Sequence, residues 1–228
     1  MQINGMILVD KPKGMTSHDV VNVMRRKLRI KKIGHTGTLD PEATGLLILL
    51  IGKQATKKSV RFISLEKRYR AVMTLGIKTE TADHTGRILS RKAVPHFSES
   101  RVHEVFEKFE GESMQVPPMV CAKKISGRKL YELAREGISV ARKPVKIKIS
   151  ELTIERIELP QIHFSLLCSK GTYVRTLCED MGEAFGCGAH MSWLRRIQIG
   201  NFNVENAMSV GDIKEASHDE ISESILET

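Results

Sequence analysis

One aspartate, Asp40, stands in a segment unsuited to regular structure. The stretch "IGHTGTLDPEATGLL", residues 33–47, sets three glycines, three threonines and a proline around it. Gly and Pro break helical periodicity, so this is a loop, and one too rich in chemistry for an ordinary connector. By itself an Asp before Pro is a turn former that bonds its own backbone. Three other residues give it company. Arg175, in "SKGTYVRTLCEDMG" (169–182), opens a helix after a strand, where a guanidinium could pair with a carboxylate across a sheet. Tyr69, in "EKRYRA" (66–71), lies among three cations on an alternating strand, taking one face while its basic neighbours mostly take the other. His35 shares the loop with Asp40, close enough to act at one site; in a basic protein an imidazole can stack on a base or displace it. Each has a plainer reading: a surface arginine, a core aromatic, an unremarkable histidine.

Other chemistries are excluded by spacing. The phosphate-loop pattern fails, since six residues separate Gly45 from Gly52 and Gln54 follows Lys53. Neither GxGxxG nor HExxH occurs. The four cysteines, at 121, 168, 178 and 187, form no CxxC pair and have no histidine cluster at ligand spacing. The expectation is therefore no cofactor, no metal and no disulfide framework, with reduced cysteines in a cytoplasmic protein.

The elements that must position these residues follow from composition and pattern. With 228 residues, 41% of them hydrophobic, the chain can form one large domain or two small ones around a substantial core. The N-terminal "MQINGMILVDKPKG" lacks the apolar stretch and cleavage site of a signal peptide. The longest apolar run, "LLILLI" (Leu46 to Ile51), falls far short of the roughly 20 residues of a membrane span, so a buried strand and no membrane partner are expected. Of the net charge of +9, residues 1–70 carry +10 and residues 121–150 carry +7, against an acidic remainder. These two separate basic blocks, with the densest patch at "RRKLRIKK" (25–32), are an electrostatic footprint for nucleic acid.

Along the chain, "GMILVD" (5–10) reads as a strand, and Ser17 as the N-cap of a helix with Val20, Val21, Met24 and Leu28 on one face. A central strand is expected over 45–51, a short helix from Gln54, and an antiparallel strand over 67–76. "TETADHTGRIL" reads as a turn into the next strand. A helix over 98–111 has Ser98 or Ser100 as cap and Gly111 as stop. Residues 115–137 open on a Pro-Pro segment and end in a basic helix stopped by Gly137. Two long strands over 145–169 join near Pro160; a helix over 172–186 ends at Gly186; "SWLRRIQIGNF" is a last strand. From 201 onward one Lys/Arg faces seven acids, an acidic tail. The absence of regular βαβ alternation points to α+β, with a mixed, mostly antiparallel central sheet flanked by helices.

Four segments, "GHTGTLDPEATGLL", "KRYRA", "SKGTYVRTL" and "GCGAHMSWLRR", closely resemble the signature segments of the TruB family of tRNA pseudouridine synthases. "VDKPKGMTSHDVV" and "GRKLYELAREG" resemble the flanking segments, and the matches run in order from about residue 5 to about residue 212. The resemblance implies the pseudouridine synthase fold with a mobile RNA-binding insertion. On this reading residues 1–212 are the catalytic domain, 115–146 its basic insertion, and 213–228 a short acidic tail without a PUA-type extension.

It also implies an enzyme that isomerises uridine 55 in the tRNA T-loop, without cofactor. Asp40 would be the nucleophile, Arg175 its cationic partner, and Tyr69 the residue that stacks on the uracil and is a candidate base. His35 would fill the space left by a flipped-out nucleotide. Leu194 would wall the pyrimidine, Lys11 with Pro12 would brace the active loop, and Asp83 would touch flipped nucleotides. Lys123, Lys124, Arg128 and Lys129 would contact phosphates from the insertion; Arg25 and Arg26, with Lys27, Arg29, Lys31 and Lys32, would add positive surface. The partner implied is the T-arm of tRNA, met by a monomer that needs no other protein. The chain departs from the family at Val120, Cys121 and Ala122, where many members have Tyr-Ser-Ala. A tRNA-folding chaperone on the same scaffold and a synthase with another RNA target are the competing readings.

Overall fold

The computed structural model describes residues 3–121, 123–125 and 127–228, with Lys124, Ile125 and Arg135 described by backbone alone. The elements run β1 (Gly5–Lys11), α1 (Ser17–Leu28), β2 (Ile33–His35), β3 (Thr44–Ile51), α2 (Gly52–Lys57) and α3 (Ser59–Ser64). Next come β4 (Lys67–Leu75), β5 (Ile77–Thr79), β6 (Ile88–Arg91), α4 (Glu99–Glu107) and β7 (Gly111–Gln115). They are followed by β8 (Lys124–Ile125), β9 (Arg128–Lys129), α5 (Leu130–Arg135), β10 (Val145–Glu158) and β11 (Gln161–Cys168). The chain ends with α6 (Val174–Ala184), β12 (Ala189–Ile199), β13 (Phe202–Asn203), β14 (Met208–Ser209), α7 (Val210–Glu215) and α8 (His218–Glu223). It divides into two compact units, Met1–Tyr69 with Leu194–Thr228, and Arg70–Trp193. The class is the expected one: helices on a mixed sheet in which antiparallel pairs predominate.

In the first unit β1 and β3 pair antiparallel along their whole length, Gly5 opposite Ile51 and Lys11 opposite Gly45. On β3's other side the end of β12 runs parallel, Arg195 opposite Thr44. The apolar run of β3 is explained by its two buried faces. Leu47, Leu49 and Ile51 pack with Ile7 and Val9 against Val20, Val21, Met24 and Leu28 of α1. Leu46, Ile48 and Leu50 pack with Met6 and Leu8 against Ala55, Phe62 and Ile199. Period-two alternation thus feeds two cores from one strand.

Two expectations are corrected here. The N-cap of α1 is Thr16, not Ser17: its hydroxyl accepts from Asp19 N at 3.1 Å while Asp19 Oδ2 accepts from Thr16 N at 2.9 Å. This reciprocal pair satisfies two end groups at once. Gly111 does not stop α4, which ends at Glu107 with Lys108 as its cap; Gly111 opens β7 instead. The acidic segment after 201 is part of the first unit. Ile213 and Ile221 join the core beneath α1, and Leu226 exchanges backbone bonds with Met6 in both directions at 2.8 Å.

In the second unit β10 pairs antiparallel with β11 on one side and β7 on the other. The register Val145 opposite Gln115 joins the two ends of the 115–146 insertion. Helix α4, capped by Ser98, buries Val102, Val105 and Phe106, and Phe106 meets Phe164 of β11 edge-on at 5.5 Å. Within the insertion Cys121, Leu130 and Leu133 form a small cluster of their own, with Tyr173 packed against it.

Candidate active site

Asp40 lies half-buried on a turn held by three side chains from distant parts of the first unit. Lys11, fully buried at the end of β1, donates from Nζ to the carbonyls of Pro12 (2.9 Å), Met15 (2.7 Å) and Pro41 (3.1 Å). Ser17 accepts from Leu39 N at 2.8 Å and donates to Leu39 O at 3.2 Å, gripping the residue before Asp40 by its whole backbone unit. Arg196, 1% exposed, donates from Nε to Leu46 O at 2.7 Å and from Nη2 to Gly37 O at 3.1 Å. A turn bond from Ala43 N to Asp40 O, 3.1 Å, closes the loop. The diverted hydroxyl explains the corrected cap: Ser17 is spent on a partner 22 residues away, leaving the helix end to Thr16.

Electrostatics follow from this packing. Burial lowers the Lys11 ammonium to about 8; the carboxylates of Asp40 and Glu42 oppose the shift, and Arg196 adds to it. His35, on β2, is pushed below its usual range by burial first, then by Arg196 and His18, which favours the neutral ring. Its Nδ1 accepts from Gly37 N at 3.4 Å. Gly45 admits no side chain. At φ +106° an added Cβ would stand 2.2 Å from Arg196 O and 2.8 Å from Arg196 N. That absence lets β3 and the arginine backbone come together.

Tyr69 is buried on β4, with Lys67 on the same face. Lys67 Nζ donates to Ile63 O at 2.6 Å, so one of the three cations is turned inward to a helix end, not outward to solvent. Leu194 is buried on β12. Its neighbour Arg195 forms a bidentate pair with Asp10, at 3.1 and 2.7 Å.

Arg175 belongs to the second unit, on the second residue of α6, and is 4% exposed. Its Nη1 donates to Thr81 O at 2.9 Å and its Nη2 to Val120 O at 2.7 Å, while Nε stands 3.7 Å from Asp83 Oδ2. Asp83 is the hub of its own turn: Oδ1 accepts from Thr81 Oγ1 (2.7 Å), Thr85 Oγ1 (2.6 Å) and Thr85 N (2.9 Å). The structure thus brings two predicted residues, Asp83 and Arg175, into one ion pair that sequence reasoning did not foresee.

The predicted basic contacts differ in freedom. Arg26 and Lys123 are exposed. Arg25 is committed inward, donating to Ile33 O at 2.9 Å and to Asn22 Oδ1 at 3.3 Å. Arg128 pairs with Glu136, and Lys129 donates to the Tyr131 hydroxyl at 3.0 Å. The side chain of Lys124 lies outside the described residues, as does Ala122. Sequence reasoning missed Ser17 as a loop brace and gave Arg196 no role. The only signal was that a fully buried cation needs carbonyl or carboxylate partners. All four cysteines are buried and none forms a disulfide. Among the described residues, no cluster of His, Cys, Asp or Glu could hold a metal, and no helix is long and apolar enough to cross a membrane.

Residues 25–174 match the model of the TruB family pseudouridylate synthase N-terminal domain, and residues 175–228 that of the tRNA pseudouridylate synthase B C-terminal domain. The second match takes in the acidic segment of the first unit. The chain is 47% identical over 212 residues to the tRNA pseudouridine synthase B of Alkaliphilus oremlandii, covering 93% of this chain and 70% of that protein. It is 45% identical over 225 residues to the enzyme of the same name from Opitutus terrae, covering 99% and 93%. Among solved structures, the Cbf5-Nop10-Gar1 complex matches with a TM-score of 0.73 at 30% identity, over 94% of this chain and 54% of that one. The chain therefore spans about half the length of that structural relative. On two family models and near-full-length identity, the chain belongs to the TruB family of pseudouridylate synthases.

Proposed function

We propose that this chain converts uridine 55 in the T-loop of tRNA to pseudouridine, with Asp40 as the nucleophile. The observation that carries the reading is the clamped turn. The turn that carries this half-buried carboxylate is held by Lys11, Ser17 and Arg196 through backbone carbonyls and amides, which fixes its position. The names of the relatives support tRNA as the substrate.

In this reaction the bond between N1 of uracil and C1′ of ribose breaks, the base turns, and C5 bonds to C1′ in its place. The C5 proton then leaves and the freed N1 takes one up, so the product is an isomer and no oxidant or co-substrate is consumed. Asp40 holds the intermediate by adding to C1′ or to base C6, or by stabilising the sugar cation on the way to a glycal. Tyr69 stacks on the uracil, and its phenol is the candidate base. In this reading Arg175 has the part of the nucleophile's cationic partner. The target base must leave its stack, at roughly a few kcal/mol, and a neutral His35 suits a wedge that occupies apolar stacking space. Exposed Arg26 and Lys123 suit phosphate contacts. The reading includes a monomer acting without a protein partner.

Carbodiimide mapping of T-arm RNA incubated with the purified chain tests this. Pseudouridine at position 55 alone is expected; modification elsewhere, or none, contradicts it.

A further inference from the structure

Arg175 depends on the start of α6, and the N-cap there is Tyr173, not one of the short polar residues that cap with their own side chain. A residue from β7 serves instead. Gln115 is 3% exposed, and its amide donates from Nε2 to Tyr173 O at 3.1 Å while Oε1 accepts from Tyr173 N at 2.8 Å. One side chain thus does for Tyr173 what a neighbouring strand does for a residue in a ladder. The chemistry is specific to glutamine. Glutamate would set an oxygen against the Tyr173 carbonyl, asparagine would fall one methylene short, and methionine would fill the space without bonding.

The position of Gln115 gives the clamp a further consequence. It pairs with Val145 across β7 and β10, so it sits at the neck of the basic insertion. Tyr173, gripped by its backbone, packs against Cys121, Leu130 and Leu133 of that insertion. The Val120 carbonyl, also in the insertion, accepts from Arg175 Nη2. Resting on the catalytic part given to Arg175 above, we infer that Gln115 is a positioning residue that couples the insertion's neck to the Arg175 guanidinium.

Kinetics on T-arm RNA with Gln115→Glu, Gln115→Met, Arg175→Lys and the double variant Gln115→Glu/Arg175→Lys test this. Losing the paired bonds should lower kcat about tenfold in both Gln115 variants, with KM within about twofold. In the Arg175→Lys background the Gln115 substitution should add no further loss, because the group it positions is gone. Hydrogen exchange at Tyr173 N–H and Arg175 Nε–H, read by NMR, should quicken in both variants. Multiplying kinetic losses, a raised KM at unchanged kcat, or unaltered exchange would each overturn the inference. Should the wild-type chain make no pseudouridine, the uridine-55 reading fails while the exchange measurement still decides the clamp.

Discussion

The Asp40 turn and the Arg175 corner fix charged groups by opposite arrangements. Around Asp40 the loop supplies the carbonyls, and the cations, Lys11 and Arg196, come from β1 and β12. Around Arg175 the cation is itself the group being positioned, and the surrounding segments supply carbonyls at Thr81 and Val120 and a carboxylate at Asp83. Buried cations are costly unless their N–H groups are bonded, and both regions meet that need largely with backbone carbonyls. Carbonyls bond without neutralising. Burial makes the Lys11 proton easier to lose, at about 8, whereas a guanidinium is not deprotonated in proteins. The grip on the Asp40 turn is therefore titratable through Lys11.

The sharpest way to break the comparison is to fill the close approaches. Gly45→Ala forces a Cβ to 2.2 Å from Arg196 O, and Gly182→Ala, in α6, forces one to 2.2 Å from Ala189 N. Each should cost about 3–5 kcal/mol in denaturant melts, because backbone atoms cannot step aside. A loss under about 1 kcal/mol in either would show that region to be loosely packed. Next in size, Arg175→Lys should lower kcat about a hundredfold, since one ammonium cannot serve Thr81, Val120 and Asp83 in a planar fork. A kcat within about threefold of wild type would place the guanidinium outside the chemistry.

Ser17→Ala should lower stability by about 1–2 kcal/mol through two lost bonds to Leu39, and should lower kcat more than it raises KM. An unchanged kcat would mean the turn holds without its serine. The smallest effect is on pH. The folded chain gives up the Lys11 proton near 8, the unfolded chain near 10.5, so between those values the unfolded state binds the extra proton. The Lys11 contribution to stability is then flat below about 8 and rises with pH above it. Over the same window the amine has two donors for three carbonyls, so activity should decline. Comparing wild type with Lys11→Met from pH 7 to 10 checks both trends; parallel stability curves would contradict the assignment.

Much of this was legible in the residues. The uninterrupted aliphatic run from Leu46 to Ile51 announced a strand with two buried faces, and the spacing of Val20, Val21, Met24 and Leu28 announced the helix that covers one of them. What escaped reading shares one cause, long sequence separation. Thr16 and Ser17 are equally good caps in isolation; a contact with Leu39 decides between them. The Asp83–Arg175 pair joins residues far apart in the chain, and the Gln115–Tyr173 amide pair spans 58 positions. No local pattern encodes either. The burial of Arg196 likewise rests on partners far off in the chain, Gly37 and Leu46.

The central claim is that the Asp40 carboxylate performs the isomerisation. Release of tritium from tRNA labelled at uracil C5 measures it directly, with wild type and Asp40→Asn assayed beside a filter-binding measurement of tRNA affinity. The account predicts release by wild type, a loss of at least about a thousandfold in the variant, and affinity within about threefold. Release by Asp40→Asn at the wild-type rate would contradict it.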